Sequence, residues 1–124
     1  MIYFISGHRD LLQSEFNETY VPKIDRVLKA DPYAEFVIGD YEGVDIAAQR
    51  YIASLGFSSK ITVYHMFDSP RFIANQDIKT VGGFKDDISR DSAMTNVSDF
   101  DIAFYRKSKG NSGTFQNIKR RGIL

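Results

Sequence analysis

The chain has no cysteine and no tryptophan, only 3 prolines and 2 histidines, and its 16 basic residues are matched by 16 acidic ones. Without cysteine there is no disulfide, no thiolate metal site and no cysteine nucleophile. His8 and His65 are too few and too isolated to suggest a metal site, so none is expected, and no cofactor is implied. Zero formal net charge argues against a protein that mainly neutralises a nucleic-acid backbone, although it leaves room for a local basic pocket. No apolar run approaches a membrane span, and Met1-Ile2-Tyr3-Phe4-Ile5 is too short for the apolar centre of a signal peptide. The expected compartment is therefore cytoplasmic. What is present is ordinary for one globular domain spanning residues 1–124: 43% hydrophobic and 26% charged residues. A chain of this size buries roughly two thirds of the surface that its unfolded form exposes.

Four short runs, Ile2–Ile5, Glu35–Ile38, Lys60–Tyr64 and Asp101–Phe104, are β-branched or aromatic and do not alternate cleanly with polar residues. Continuous apolar character means burial on both faces, as in parallel strands covered by helices. Helical patterns lie between them. Val44, Ala47, Ala48, Tyr51, Ile52 and Leu55 make a full apolar stripe, with Gly56 placed to end it. Leu12, Phe16, Ile24, Val27 and Leu28 make a longer stripe, in which Pro22 is expected to interrupt one helix and begin another. In a third region, Phe84–Ser98, Arg90, Met94 and Val97 share a face beside Asp86, Asp87 and Asp91. Thr114–Arg121 predicts a short final helix. Residues 66–83 show no period and read as one long loop, either a lid or an interface. The order predicts a single α/β domain: a Rossmann-like three-layer sandwich with a mostly parallel sheet of four to five strands.

Ligands of open parallel sheets bind at the carboxyl ends of the strands. There stand Ser6-Gly7-His8-Arg9-Asp10, then Gly39-Asp40-Tyr41-Glu42-Gly43-Val44-Asp45, and finally Asn111-Ser112-Gly113-Thr114, the last two each opening a helix. Glycine admits close approach of a backbone, and free N–H groups at a helix start favour an anion, so a phosphate is the natural occupant. Each turn also has a purely structural reading, Asp45 as a helix cap among them. No GxGxxG or GxxxxGK[ST] fingerprint is present. An inward-facing Arg90 needs a partner: either an ion pair with Asp86, Asp87 or Asp99, or a phosphate or carboxylate ligand that it clamps, towards which we lean. Tyr41 and Phe72 are loop aromatics able to stack a base.

These motifs together resemble the SLOG superfamily, especially its YspA/YpsA-related branch; the superfamily also holds the LOG phosphoribohydrolases and the DNA-processing protein DprA. Ser6-Gly7-His8-Arg9-Asp10 is similar to the family's "sG.RD" opening, Gly39 to Ala47 to its "hG.a.GaD..A", Arg90, Met94 and Asp99 to its R…M…D segment, and Ser112-Gly113-Thr114 to its "SGGT" turn. The resemblance implies phosphate held by Ser6, Gly7, Ser112, Gly113 and Thr114, with Arg90 beside the sugar. His8, Arg9, Gly39, Asp40, Gly43, Asp45, Met94 and Asp99 complete the implied ligand site, and homo-oligomers are expected. The LOG turn carries a glutamate that works with the arginine; here Asn117, preceded by Gln116, stands in its place and cannot act as an acid or base. A hydrolase would need Asp40, Asp45 or Asp68 instead.

The leading expectation is a module that binds a nucleotide or nucleotide-derived small molecule as a sensor, carrier or sequestering protein. The alternatives are an enzyme acting on a nucleotide N-glycosidic bond, hydrolase or deoxyribosyltransferase-like, with Arg90 catalytic, and a DprA-like DNA-binding protein using Arg106, Lys107, Lys109 and Lys119-Arg120-Arg121. A solvated face is the plainer reading of those last charges.

Overall fold

A computed structural model describes residues 1–104 and 113–121. Its strands are β1 (Ile2–Ile5), β2 (Glu35–Ile38), β3 (Ile61–Met66), β4 (Lys79–Phe84) and β5 (Phe100–Ile102), paired in the order β4-β3-β2-β1-β5. Every pairing is parallel. The helices are α1 (Gln13–Ala30), α2 (Val44–Ser54), α3 (Asp87–Val97) and α4 (Gly113–Arg121). This is the expected Rossmann-like three-layer α/β arrangement with all five strands parallel. Among the described residues no helix is long and apolar enough to cross a membrane.

Strand pleating explains the layers, because successive side chains leave opposite faces of a sheet. Ile5, Phe36, Ile38, Val63 and Ile102 point to one face, where Phe16, Tyr20, Ile24 and Val27 of α1 and Val44, Ala48 and Ile52 of α2 cover them. Phe4, Val37 and Tyr64 point to the other, against Met94 of α3. The unbroken apolar character of the strands is the consequence.

Four expectations are corrected. α1 runs straight through Pro22. Pro22 and Glu18, whose carbonyl loses its helical partner, are both on the exposed side, while Phe16, Tyr20, Ile24 and Val27 stay in one buried stripe. Residues 66–83 are not a single loop, since Lys79–Phe84 form the edge strand β4. That strand is largely exposed and so lacks the apolar run that marked the others. Its Gly82 lies against the His65 ring, where an added Cβ would come within 2.2 Å, and Gly83 holds a φ of +90°, so a glycine pair stands inside a strand. In α3 the buried residues are Arg90, Asp91, Met94 and Thr95, and Val97 is exposed. Two of the strands found by sequence also shift: β3 runs Ile61–Met66 rather than Lys60–Tyr64, and β5 runs Phe100–Ile102 rather than Asp101–Phe104.

The rest of the 66–83 segment is pinned. The fully buried Gln49 of α2 donates from Nε2 to the carbonyls of Gly39 (3.0 Å) and Phe72 (3.4 Å), and its Oε1 accepts from Ala74 N–H (3.0 Å). Asn75 donates to Ser58 Oγ at 2.6 Å. The segment is a strap tied to α2, which substitutes for the helix usual in a parallel crossover.

Tyr20 fastens the carboxyl edge from below. Its hydroxyl donates to the Ser6 carbonyl (2.7 Å) and accepts from Phe104 N–H (3.1 Å), joining α1 to the chain just beyond β1 and β5. Tyr20→Phe removes both bonds from a buried site and should lower unfolding free energy by about 1–3 kcal/mol. Urea denaturation measures this; an unchanged midpoint would show that the hydroxyl carries no load.

Candidate functional site at the carboxyl edge

The carboxyl ends of β1 and β2 open into a cleft of about 460 Å³. Its first wall is the turn Ser6, Gly7, His8, Arg9 and Asp10, and its second is Gly39, Tyr41, Glu42 and Asp45. α3 contributes Asp87, Arg90, Asp91 and Met94, and α4 contributes Asn117. Asp45, Arg90 and Asp91 are buried and form the floor; Arg9, Asp10 and Glu42 are exposed and form the mouth. The sheet topology creates the opening: the chain proceeds outward from β1 to β4, then returns across the other face to place β5 on the far side of β1.

Glycine is required where the walls meet. A Cβ on Gly7 would sit 2.4 Å from both the Tyr20 hydroxyl and Val44 Cγ2. One on Gly39 would sit 2.5 Å from Asp45 Oδ2 and 3.1 Å from Arg90 Cζ. Gly43, at φ +80°, is the residue before α2, and its Cα packs on the Arg9 backbone.

Arg90 organises the floor. It is 5% exposed. Its Nη1 donates to Asp40 Oδ1 at 2.9 Å and lies 3.3 Å from Asp87 Oδ1. Its Nε and Nη2 donate to Asp91 Oδ1 at 3.1 and 3.0 Å. Asp40 is held by a second cation, since Arg71 donates to it from both its backbone N–H (2.7 Å) and Nη2 (2.8 Å). Four carboxylates, Asp40, Asp45, Asp87 and Asp91, thus surround two guanidiniums, Arg71 and Arg90.

That excess of negative charge divides the carboxylates by environment. Burial alone would raise Asp40, but hydrogen bonds from Arg71 hold it below the usual carboxylate range. Burial raises Asp91 against the pull of Arg90 and a hydrogen bond from Asn117. Asp45 is pushed up to about 7, chiefly by burial, with Asp91 and Asp40 adding to it and Arg90 and the Tyr41 N–H opposing. The Tyr41 N–H donates to Asp45 Oδ2 at 3.1 Å. Asp45 is therefore a carboxyl that changes charge near neutrality at the bottom of a cleft.

The cleft brings together Ser6, Gly7, His8, Arg9, Gly39, Asp45, Arg90 and Met94 from the residues expected by sequence. Asp40 sits beneath, consumed by its two arginines, and Gly43 supports the wall. Asp99 is elsewhere: its carboxylate accepts from Ile2 N–H at 2.8 Å and its N–H donates to the Ile2 carbonyl, at the amino ends of β1 and β5. Asp45 is not the cap of α2, because Gly43 holds that position. Arg90 takes the ion-paired state, with Asp87 as one of the anticipated partners and Asp40 and Asp91 as the others. Gly113 and Thr114 open α4, and Ser112 lies outside the described residues. Asp68 does not line the cleft. Asn117, which stands where the LOG turn has its glutamate, lines the cleft, whereas Asp91 and Arg71 are not among the site residues expected by sequence. Three aspartates flanking an inward arginine in α3 were the available signal for Asp91; Arg71 lay in an unpatterned stretch and offered none. Of the terminal basic run, Arg121 is spent on Asp101 (3.1 Å) and Ser98. Arg120 donates to Asn117 at 2.8 Å.

No protein-family model, curated protein or solved structure matches the chain. Among the described residues no three His, Cys, Asp or Glu side chains are grouped to hold a metal ion.

The Asp45 carboxyl gives a signed pH dependence. An unfolded chain releases this proton near 3.8 and the fold releases it near 7, so between them the folded state holds the extra proton. Its contribution to stability falls as pH rises through that window and levels off above it. Asp45→Asn keeps an acceptor for Tyr41 N–H without the ionisation. Relative to wild type, the variant should gain in unfolding free energy from about pH 4 to about pH 7 and then stay parallel to it. Chemical denaturation across that range checks this, and a pH-independent difference would exclude the raised carboxyl.

Proposed function

We propose that the cleft binds a nucleotide or nucleotide-derived small molecule, as the SLOG resemblance implies. The observation that carries this reading is Ser6. The residue is 6% exposed and lines the cleft, and among the described residues its buried Oγ has no hydrogen-bond partner. A buried hydroxyl is normally satisfied, and one left open inside a cleft suits a polar ligand. Its backbone is already engaged, the N–H with the Ile102 carbonyl (3.1 Å) and the carbonyl with Tyr20. The hydroxyl is the polar atom of Ser6 left without a partner among the described residues. The volume of about 460 Å³ suits a small-molecule site of roughly 300–1,000 Å³. The floor of Asp45 and Asp91 offers hydrogen bonds of the kind sugar hydroxyls take.

Asp45 favours a second reading, cleavage of an N-glycosidic bond. A carboxyl that keeps its proton near neutrality can protonate a leaving base, and surrounding carboxylates stabilise a sugar as it acquires positive charge. Asp45 fills the role that Asn117 leaves vacant; Asp40, locked by two arginines, does not.

The test is a thermal-shift panel of nucleosides, nucleoside mono- and diphosphates, ADP-ribose and NAD, with product analysis on every hit. A ligand at a hundredfold its Kd adds about 2.7 kcal/mol, a clear rise in midpoint. Ser6→Ala should leave the unliganded midpoint unchanged or raised, since it deletes an unsatisfied group, while weakening the hit by about fivefold to tenfold. A hit recovered intact supports a binding module; free base and sugar phosphate support the enzyme. Full affinity in Ser6→Ala would remove the observation on which the reading stands.

A further inference from the structure

We infer that Arg9 and Arg71, gathered on the ring of Tyr41, form the phosphate-binding end of the cleft, with the ligand's sugar directed to the carboxyl floor. The inference rests on the ligand reading above and assigns that ligand its orientation.

The floor is unfit for a phosphate. Arg90, the cation that points into it, already donates from Nε, Nη1 and Nη2 to Asp91 and Asp40. A phosphate placed there would meet Asp45, Asp87 and Asp91 and would have to take Arg90 from buried carboxylates, which is costly. At the mouth the cations are nearer solvent, with the exposed Asp10 and Glu42 beside Arg9. Arg9 is exposed and its Nη1 donates to the Tyr41 hydroxyl at 3.0 Å, with Cζ 6.0 Å from the ring centre. The Arg71 guanidinium lies over the same ring, Cζ 4.5 Å from its centre. It touches two side chains that line the cleft, Tyr41 and Asp87, and is 39% exposed.

Both guanidiniums touch one phenol, which brings two cations to the same side of the cleft. Arg9 is held by the Tyr41 hydroxyl. Arg71 is anchored by the buried Asp40 through its backbone and its side chain, and the Tyr41 backbone is anchored by Asp45. Planar guanidiniums in fixed positions match phosphate oxygens in pairs, and pre-ordering spares the entropy of gathering them. A phosphate bridging the two would leave the rest of a nucleotide facing Ser6, Asp45 and Asp91.

The experiment is calorimetric titration of wild type, Arg9→Ala, Arg71→Ala and Arg71→Lys with AMP, adenosine, GMP, guanosine and pyrophosphate. Wild type should bind each nucleotide at least about tenfold more tightly than its nucleoside. Either alanine variant should bring nucleotide affinity down to that of the nucleoside, shift nucleoside affinity less than about threefold, and abolish pyrophosphate binding. Arg71→Lys should fall between, because an ammonium lacks the fork. Arg9 makes no bond to the buried cluster, so its variant decides the matter if Arg71→Ala fails to fold. Equal binding of nucleotide and nucleoside, or equal loss of both in Arg9→Ala, overturns the inference while the ligand reading stands. Pyrophosphate binding through both arginines, with nothing added by the nucleoside portion, sustains the inference and overturns the ligand reading. Absence of binding by all five probes overturns both.

Discussion

A guanidinium cannot be buried unless carboxylates neutralise it, and the placement of Arg90 at the carboxyl edge imposes that demand on everything around it. Asp40 at the end of β2 and Asp87 and Asp91 of α3 answer it, so the ion pairs join the central sheet to the helix on its outer face. Through Asp40 the same network reaches Arg71 and holds the strap that leads to β4. The cluster contains more acid than base, and the surplus falls on Asp45, the most buried carboxyl that has no direct cation partner of its own. Structure and site chemistry are here one electrostatic arrangement.

An acidic floor and two arginines nearer solvent follow from this. The floor arginine is consumed in holding the fold together, whereas Arg9 and Arg71 lie against Tyr41, Arg9 beside Asp10 and Glu42 and Arg71 paired with Asp40 and Asp87. Polarity of that kind orders a ligand that is anionic at one end and neutral and hydroxylated at the other. It also separates two tasks that are often confused in a sequence: an inward arginine in a motif can be structural cement, while the ligand's charge is met by residues nearer solvent.

Ser6 and Tyr20 show how closely the scaffold and the site are interleaved. The hydroxyl of Tyr20 takes the Ser6 carbonyl, Ile102 takes its N–H, and the residue is thereby fixed in the cleft wall with its own hydroxyl unpaired among the described residues. Gly7 follows because nothing larger fits between Tyr20 and Val44. Ser6 thus spends its backbone on the fold, and Gly7 gives up its side chain to it.

The sequence by itself determined the layer architecture, because unbroken apolar runs alternating with amphipathic stripes have few solutions other than a parallel sheet between helices. It also placed the turns after β1 and β2 together at the carboxyl edge, while the third expected turn, Asn111 to Thr114, lies partly outside the described residues. What only tertiary structure decided were matters of partner choice. β4 left no apolar signature because an edge strand need not be buried, and Pro22 broke nothing because its side of α1 faces water. Asp99 has the same composition and motif spacing as a ligand contact, but β5 begins there, so it caps the amino ends of strands instead. Asp45 reads as an ordinary carboxylate until the burial and the neighbouring charges of Asp91 and Asp40 are known, and those come from elements distant in the chain. Electrostatic environment is a sum over neighbours in space, and no local pattern encodes it.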